Sequence, residues 1–293
     1  MRGKTAEFLA CPICTKSLVF EGRKSDDRFV NGYFRCFDGH VFQVKQEIGM
    51  FKDAKGSANE FEWKVDVADE RRYDQIRKQY DSYFREDQKN AIREMMDKLA
   101  RYVVESAAQS DNVIIDVATG MGTFILPLAE RCSDDALVIG TDIDEKPLRG
   151  AMNKARKADV YRKLSLIVTD AKSLCFRDNS LSTVSSYFGF DNVPITVSAL
   201  RESARVLQAG GRMFFSSLWL KENSQSMRLA KKHNVCQIAS RTNLENALKR
   251  AGLLLDEVEE IYFGVWPYNP MDLLPVEGDE YTYVIVQAEK PEG

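Results

Sequence analysis

Two groups of residues in this 293-residue chain have types and spacings that could do chemistry. The first is Cys11, Cys14, Cys36 and His40, in "CPIC" and "CFDGH". A C-x2-C pair followed by a C-x3-H pair offers four sulfur or nitrogen donors on two turns, the donor set of tetrahedral zinc. Pro12 and Gly39 suit such turns. The plain alternative is a set of buried thiols. The expectation is one structural zinc held by these four residues. Cys132, Cys175 and Cys236 are scattered and read as ordinary thiols, and His233, in "AKKHN", as a helix-face residue.

The second group starts in "VIIDVATGMGTF", residues 113–124. An apolar run meets Asp116, and Gly120 and Gly122 follow before a helical stretch. A strand that enters a glycine turn and then a helix lets backbone approach a nucleotide-type cofactor closely. Asp142 ends "ALVIGTD" and Asp170 ends "LSLIVTD". An acid at the end of the second strand can hold ribose hydroxyls. Three successive strands thus carry an aspartate at or near the C-terminal end, the edge where open α/β sheets bind ligands. Each acid taken singly also suits a helix N-cap or a turn. A dinucleotide fingerprint needs a further glycine where Ile125 stands, which speaks against a dinucleotide.

The elements that must position these residues follow from periodicity. Strands at 113–116, 136–142, 164–170, 183–188 and 212–217 alternate with amphipathic stretches such as 199–207, and two more lie near 256–263 and 281–288. This pattern predicts an α/β fold with a seven-stranded, mostly parallel sheet and helices on both faces. Upstream, Tyr73, Ile76, Tyr80, Tyr83 and Phe84, then Ile92, Met95, Met96, Leu99 and Val103, recur at helical steps. The polar stretch "DAKGSANE", 53–60, reads as a linker, and "YFRCF" and "HVFQV" as small strands. The expected division is a zinc ribbon at 1–52, a linker and helical cap at 53–107, and a cofactor-binding domain at 108–293.

Composition narrows the classes. Apolar residues make up 44% and the net charge is −3, which argues against a chain built mainly to coat nucleic acid. No apolar run is long enough to span a membrane, and the N-terminal residues lack a signal-peptide core, so a cytoplasmic protein with reduced cysteines is expected.

From about residue 75 to 290 the chain resembles the class I S-adenosylmethionine-dependent methyltransferases, especially the group that includes the ubiquinone/menaquinone methyltransferases. The motifs that carry the resemblance are "DVATGMG", "GTDID", "VTDAKSLCF" and "ESARVLQAGGRMFF", in order. One departure is "SLSTV", with Ser182 where many members carry an acid. The resemblance implies a Rossmann-like fold and S-adenosylmethionine as cofactor. It places Asp116 near the methionine end, the Gly120–Gly122 turn under the cofactor, Asp142 at the ribose, and Asp170 with Ala171 at the adenine edge. Ala118, Ile143 and Tyr187 complete the implied cofactor-binding set. The N-terminal segment resembles the zinc module of bacterial rRNA guanine-N1 methyltransferases and the small zinc-ribbon partners of tRNA and protein methyltransferases, through a pattern close to "GHVFQVKQEIGMF". The following "EFEWKVDVADERRY" does not continue like the rRNA enzymes.

The acceptor is less legible. A sulfonium already supplies the leaving group, so orientation is the main task and a catalytic base is optional. The sequence identifies none: no Asn-Pro-Pro-Tyr and no Pro-Cys pair follows the fourth strand. In "YFGFDNVP", Tyr187, Asp191 and Asn192 could face the acceptor or be turn residues. In "YFGVWPYNPMDLLP", 262–275, Trp266 and Tyr268 are expected to face the helical cap across an acceptor pocket, with Trp266 stacked on a flat acceptor. Ordinary core filling is the alternative. A small-molecule acceptor is favoured, without a membrane partner. The rival readings are rRNA or tRNA base methylation with the ribbon recognising RNA, and a non-catalytic cofactor-binding scaffold that docks a partner through the ribbon. Residues 1–56 hold 10 Lys/Arg against 7 Asp/Glu, too mild a balance to decide.

Overall fold

The structure, a computed structural model, describes residues 1–52 and 70–292. The expected linker at 53–60, the start of the helical cap and the side chain of Tyr73 lie outside the described residues.

The centre of the molecule is a set of short, mostly apolar strands. β5 (Val113–Val117), β6 (Leu137–Asp142) and β7 (Leu164–Val168) are buried along almost their whole length. They pair in parallel with one another, and β5 pairs in parallel with β8 (Leu181–Tyr187), which pairs with β9 (Leu207–Leu220). Their side chains alternate between two cores, as the period of a strand requires. Val113, Ile115 and Val117 join a core with Leu200 of α5 (Thr196–Val206) and Leu244 and Leu248 of α7 (Arg241–Ala251). Ile114 and Val138 join the opposite core, with α2 (Glu86–Ala108), α3 (Ile125–Arg131) and α4 (Glu145–Lys157). On α2 the buried residues Met95, Leu99 and Val103 form the stripe predicted from helical spacing.

Eleven described strands form one sheet, not the seven expected. The run β7-β6-β5-β8-β9 is completed by β11 (Glu280–Glu289) and β10 (Leu254–Val265). β11 is antiparallel to β9, and β10 is antiparallel to β11. β10 therefore runs in the same direction as β9, and Val265 emerges at the C-terminal edge of the parallel strands. The four extra strands come from the N-terminal segment. β1 (Leu18–Ser25), β2 (Arg28–Cys36), β3 (Val41–Lys45) and β4 (Ile48–Met50) form an antiparallel meander. β4 then pairs in parallel with β7, Ile48 opposite Leu166 and Met50 opposite Val168. Without it β7 would be a bare apolar edge, and an open edge of that kind is a liability. No helix among the described residues is long and apolar enough to cross a membrane.

Candidate active site

The predicted acids converge. Asp116, Asp142 and Asp170 stand at or just beyond the C-terminal ends of the neighbouring strands β5, β6 and β7. Asp116 is buried, at 1% exposure. Its Oδ2 accepts from Thr119 Oγ1 at 2.8 Å and its Oδ1 from Ser185 Oγ at 2.9 Å. Burial outweighs these bonds and pushes its pKa up to about 7, making it a weaker acid. Asp142 Oδ2 accepts from the Gly120 amide at 2.8 Å, so the second acid ties down the glycine turn. Burial raises Asp142 as well. Asp170 instead accepts from the Lys172 amide at 2.8 Å and holds its own turn.

The turn itself lies in the left-handed region. Ala118 has φ 57°, Gly120 56° and Gly122 83°. A side chain placed on Gly120 would meet nothing within 4 Å, so the residue opens onto free space. At the end of β8, Phe188 also has a positive φ, 53°. Two non-glycine residues at the ends of adjacent central strands are thus held in a costly conformation, a feature that gathers at ligand sites.

These two strand ends border a cavity of about 560 Å³. Asp116, Ala118 and Gly120 line it on one side, and Tyr187, Asp191 and Asn192 at the end of β8. Its roof is Tyr80 of α1 (Glu70–Ser82), Phe84 before α2, and Trp266 with Met271–Pro275 from the loop after β10. Tyr187 stacks on Phe124, centroids 5.5 Å apart at 12°. The cap and the loop touch directly: Phe84 is edge-on to Trp266 at 5.3 Å, and Tyr83 to Tyr268 at 6.4 Å. Gln88, at the start of α2, fastens the roof by donating to Tyr281 Oη at 2.9 Å and to the Val265 carbonyl at 3.3 Å. Trp266 is 5% exposed and also edge-on to Tyr281 at 4.9 Å, so it is both a wall of the cavity and a packed core residue. Tyr268 is 60% exposed and is not part of the wall. Gly122, Asp142, Ile143, Asp170 and Ala171 also lie outside the cavity lining, Asp142 at the end of β6 and the others in the turns along the sheet edge.

Asp191 anchors to β9. Its Oδ1 accepts from Ser217 Oγ at 2.7 Å, and burial pushes its pKa up to about 7. Sequence reasoning missed Asp272, a third cavity acid raised to about 7 by burial, with hydrogen bonds from Tyr80 and from Asn269 Nδ2 at 2.8 Å. Its signal was weak, because an aspartate in a proline-rich loop reads as a turn residue.

Away from the cavity, Cys11, Cys14, Cys36 and His40 come together, their donor atoms all within 4.8 Å of one another. Cys14 Sγ is 3.7 Å from Cys36 Sγ, and His40 Nδ1 is 3.5 Å from Cys11 Sγ and 3.3 Å from Cys36 Sγ. Zinc bonds of about 2.3 Å to sulfur and 2.0 Å to nitrogen give tetrahedral edges of about 3.5–3.8 Å, so this donor set fits the ion. The two turns are formed by backbone bonds from Thr15 N to Cys11 O at 2.8 Å and from Gly39 N to Cys36 O at 3.0 Å. The first turn docks on the segment after Asp170: Ala10 N donates to Cys175 O at 2.9 Å, and Arg177 N to Phe8 O at 2.8 Å.

Comparison with known proteins places the chain in a family. The chain is 36% identical over 102 residues to the ubiquinone/menaquinone biosynthesis C-methyltransferase UbiE of Rickettsia prowazekii (strain Madrid E), which is 34% of this chain and 41% of that protein. It is 34% identical over 105 residues to the demethylmenaquinone methyltransferase of Listeria welshimeri serovar 6b, 36% of this chain and 44% of the relative. The match therefore spans less than half the length of these curated relatives. Among solved structures, geranyl diphosphate C-methyltransferase from Streptomyces coelicolor A3(2), in complex with Mg2+, geranyl diphosphate and S-adenosyl-L-homocysteine, superimposes with a TM-score of 0.51 at 16% identity. The superposition covers 65% of this chain and 78% of that one, a likeness of fold alone. The model of the ubiE/COQ5 methyltransferase family matches residues 68–238, more than half of the chain, and the chain belongs to that family.

Proposed function

We propose that this protein transfers the methyl group of S-adenosylmethionine to a small, flat, largely apolar molecule. The observation that carries the reading is the cavity: it opens on the glycine turn, has a small-molecule volume of about 560 Å³, and is roofed by aromatic side chains. The cofactor would lie along the sheet edge, with Asp116 near its methionine end, Gly120 and Gly122 beneath it and Ala118 and Tyr187 beside it. Asp142 and Ile143 would meet the ribose, and Asp170 with Ala171 the adenine edge. The acceptor would fill the space between Asp191, Asn192 and the roof. In the transfer the methyl carbon leaves sulfur, which keeps the electron pair and becomes a neutral thioether. The protein's part is to hold the acceptor in line and exclude water, which is a large effect by itself. The names of the two relatives point to a quinone-type ring as acceptor, and a flat ring suits the aromatic walls.

RNA is disfavoured by the charges of the N-terminal segment. Arg2, Lys16, Arg28 and Arg35 are paired with Asp27, Asp38, Glu47 and Glu21, so they do not form an open basic face. We assign Cys11, Cys14, Cys36 and His40 a structural zinc, which would supply a cross-link between the two turns. The division into a ribbon at 1–52, a cap at 53–107 and a catalytic domain at 108–293 is kept as part of this reading. Titration calorimetry with S-adenosylhomocysteine is the test. Micromolar binding is expected, and absence of heat alongside binding of NAD would overturn it.

A further inference from the structure

Lys52 brings the N-terminal strands to the sheet edge where the cofactor would lie. β4 pairs in parallel with β7, Met50 opposite Val168, and Phe51 N donates to the Val168 carbonyl at 2.7 Å. That register sets Lys52 level with Asp170. Phe51 is buried against Phe34 and Phe42, ring centroids 5.7 and 5.2 Å away, so the backbone that delivers Lys52 is fixed. β7 stands between β4 and β6. The half-buried Lys52 side chain crosses the end of β7, and its Nζ donates to the Ile143 carbonyl, just past β6, at 3.5 Å. Neighbouring strands are about 4.8 Å apart, so a reach across two of them uses most of the length of a lysine.

The turn after β6 does not need that lysine to hold it. Asp142 Oδ2 accepts from Gly120 N at 2.8 Å and its Oδ1 from Asp144 N at 3.0 Å. Thr169 N donates to the Asp142 carbonyl at 2.8 Å, and Asp144 caps α4 by accepting from Lys146 N at 3.1 Å. An ammonium has three donors. The bond to Ile143 is long and occupies one of them, and Lys52 has no carboxylate partner among the described residues. Two donors are therefore left at the end of the sheet, beside the residues read as the ribose and adenine contacts.

We propose that Lys52 is a cofactor-binding residue supplied by the N-terminal strands: its amine donates to the ribose hydroxyl oxygens of S-adenosylmethionine while those hydroxyls donate to Asp142. The proposal rests on the methyltransferase reading above, in which Asp142 and Ile143 meet the ribose. A hydroxyl has one hydrogen to give and lone pairs that accept. An ionised Asp142 can only accept, so it satisfies one side of that pairing, and the matching donor has to come from another residue. Lys52 already stands at the residue next to Asp142. The charge is also well placed for this cofactor. Asp116, at its methionine end, is on β5, two strands from β7 and so about 10 Å along the edge. The ammonium thus stands beside the uncharged nucleoside and away from the sulfonium it would repel. The N-terminal strands then do more than cover the β7 edge, since they complete the adenosyl end of the site.

The test is titration calorimetry of the full chain with S-adenosylhomocysteine and with its 2′-deoxy and 3′-deoxy analogues. The wild type should bind the parent ligand about tenfold or more tightly than at least one analogue. Lys52→Met keeps the stem and removes the donor, and with the side chain half-buried and its one bond long, the melting temperature should not change. It should weaken S-adenosylhomocysteine by about tenfold, the loss of a hydrogen bond from a charged donor, and the discriminated analogue by less than about threefold. Lys52→Arg, which keeps a charged donor, should recover part of the affinity. A lysine that only shapes the turn would lower all three ligands by one common factor. Such a common factor, unchanged affinity of Lys52→Met for S-adenosylhomocysteine, or a wild type that binds all three alike overturns the proposal. No binding of S-adenosylhomocysteine by the wild type is instead a failure of the methyltransferase reading, and the Lys52 proposal falls with it.

Discussion

Truncating Trp266 to alanine separates packing from acceptor binding. The indole is 5% exposed and meets Phe84 and Tyr281 edge-on at 5.3 and 4.9 Å. Its backbone is pinned independently, with Trp266 N donating to Asp279 O at 2.9 Å and Gly278 N to Trp266 O at 3.0 Å, so the loop keeps its path when the ring is removed. Burial of this kind gives a truncation cost of about 3–5 kcal/mol. Part of the ring faces the cavity rather than protein, which puts the cost near the lower end, about 3 kcal/mol. At about 2 °C per kcal/mol for a chain of this size, the melting temperature falls by roughly 6 °C. Trp266→Phe, which keeps an aromatic edge against Phe84, loses roughly half as much. Calorimetric melting paired with acceptor kinetics on the folded protein is the assay. An unchanged melting temperature with a tenfold rise in acceptor KM would show that the ring serves the acceptor and that the packing account is wrong.

Gly120→Val should abolish S-adenosylhomocysteine binding while the protein stays folded. The side chain points into open space where the cofactor would lie, and the φ of 56° adds strain of about 1–2 kcal/mol; retained binding would displace the cofactor from the glycine turn. Asp116 holds a proton in the folded state up to about pH 7 but loses it near pH 4 once unfolded, so its contribution declines as pH rises between those values and stays low above them. Asp116→Asn should therefore show a smaller fall in melting temperature from pH 5 to pH 8 than the wild type, and an identical fall would refute the assignment. Metal analysis of protein purified without added zinc should give one zinc per chain. Because β4 pairs with β7, chelation should lower one shared melting transition, and a separate early transition of the N-terminal strands would contradict the continuous sheet.

Local pattern carried the central part of the molecule. The runs around Ile114, Val138 and Leu166 are apolar enough to announce buried parallel strands, and each ends near an acid that the fold brings to one edge. The cysteine spacing likewise announced a cluster that forms. What stayed hidden depends on contacts between distant residues. β4 has three residues, too few for periodicity to show, and its partner Leu166 lies more than a hundred positions away. The same holds for Asp191: the turn was visible, but its anchor Ser217 and its orphaned Oδ2 are properties of the folded β8–β9 pair. Asp170 shows the converse, since the acid expected to wait for a ligand also holds its own turn through Lys172 N. Tyr268 fits the aromatic pattern of its loop yet faces solvent, because that spacing alone does not say which face of an irregular segment packs.

The most direct measurement is transfer of tritium from methyl-labelled S-adenosylmethionine into a cell extract separated into organic-soluble small molecules, RNA and protein. A small-molecule methyltransferase places the label in the organic-soluble fraction, and Gly120→Val abolishes it. Label in RNA or protein, or no transfer despite bound cofactor, would contradict the assignment.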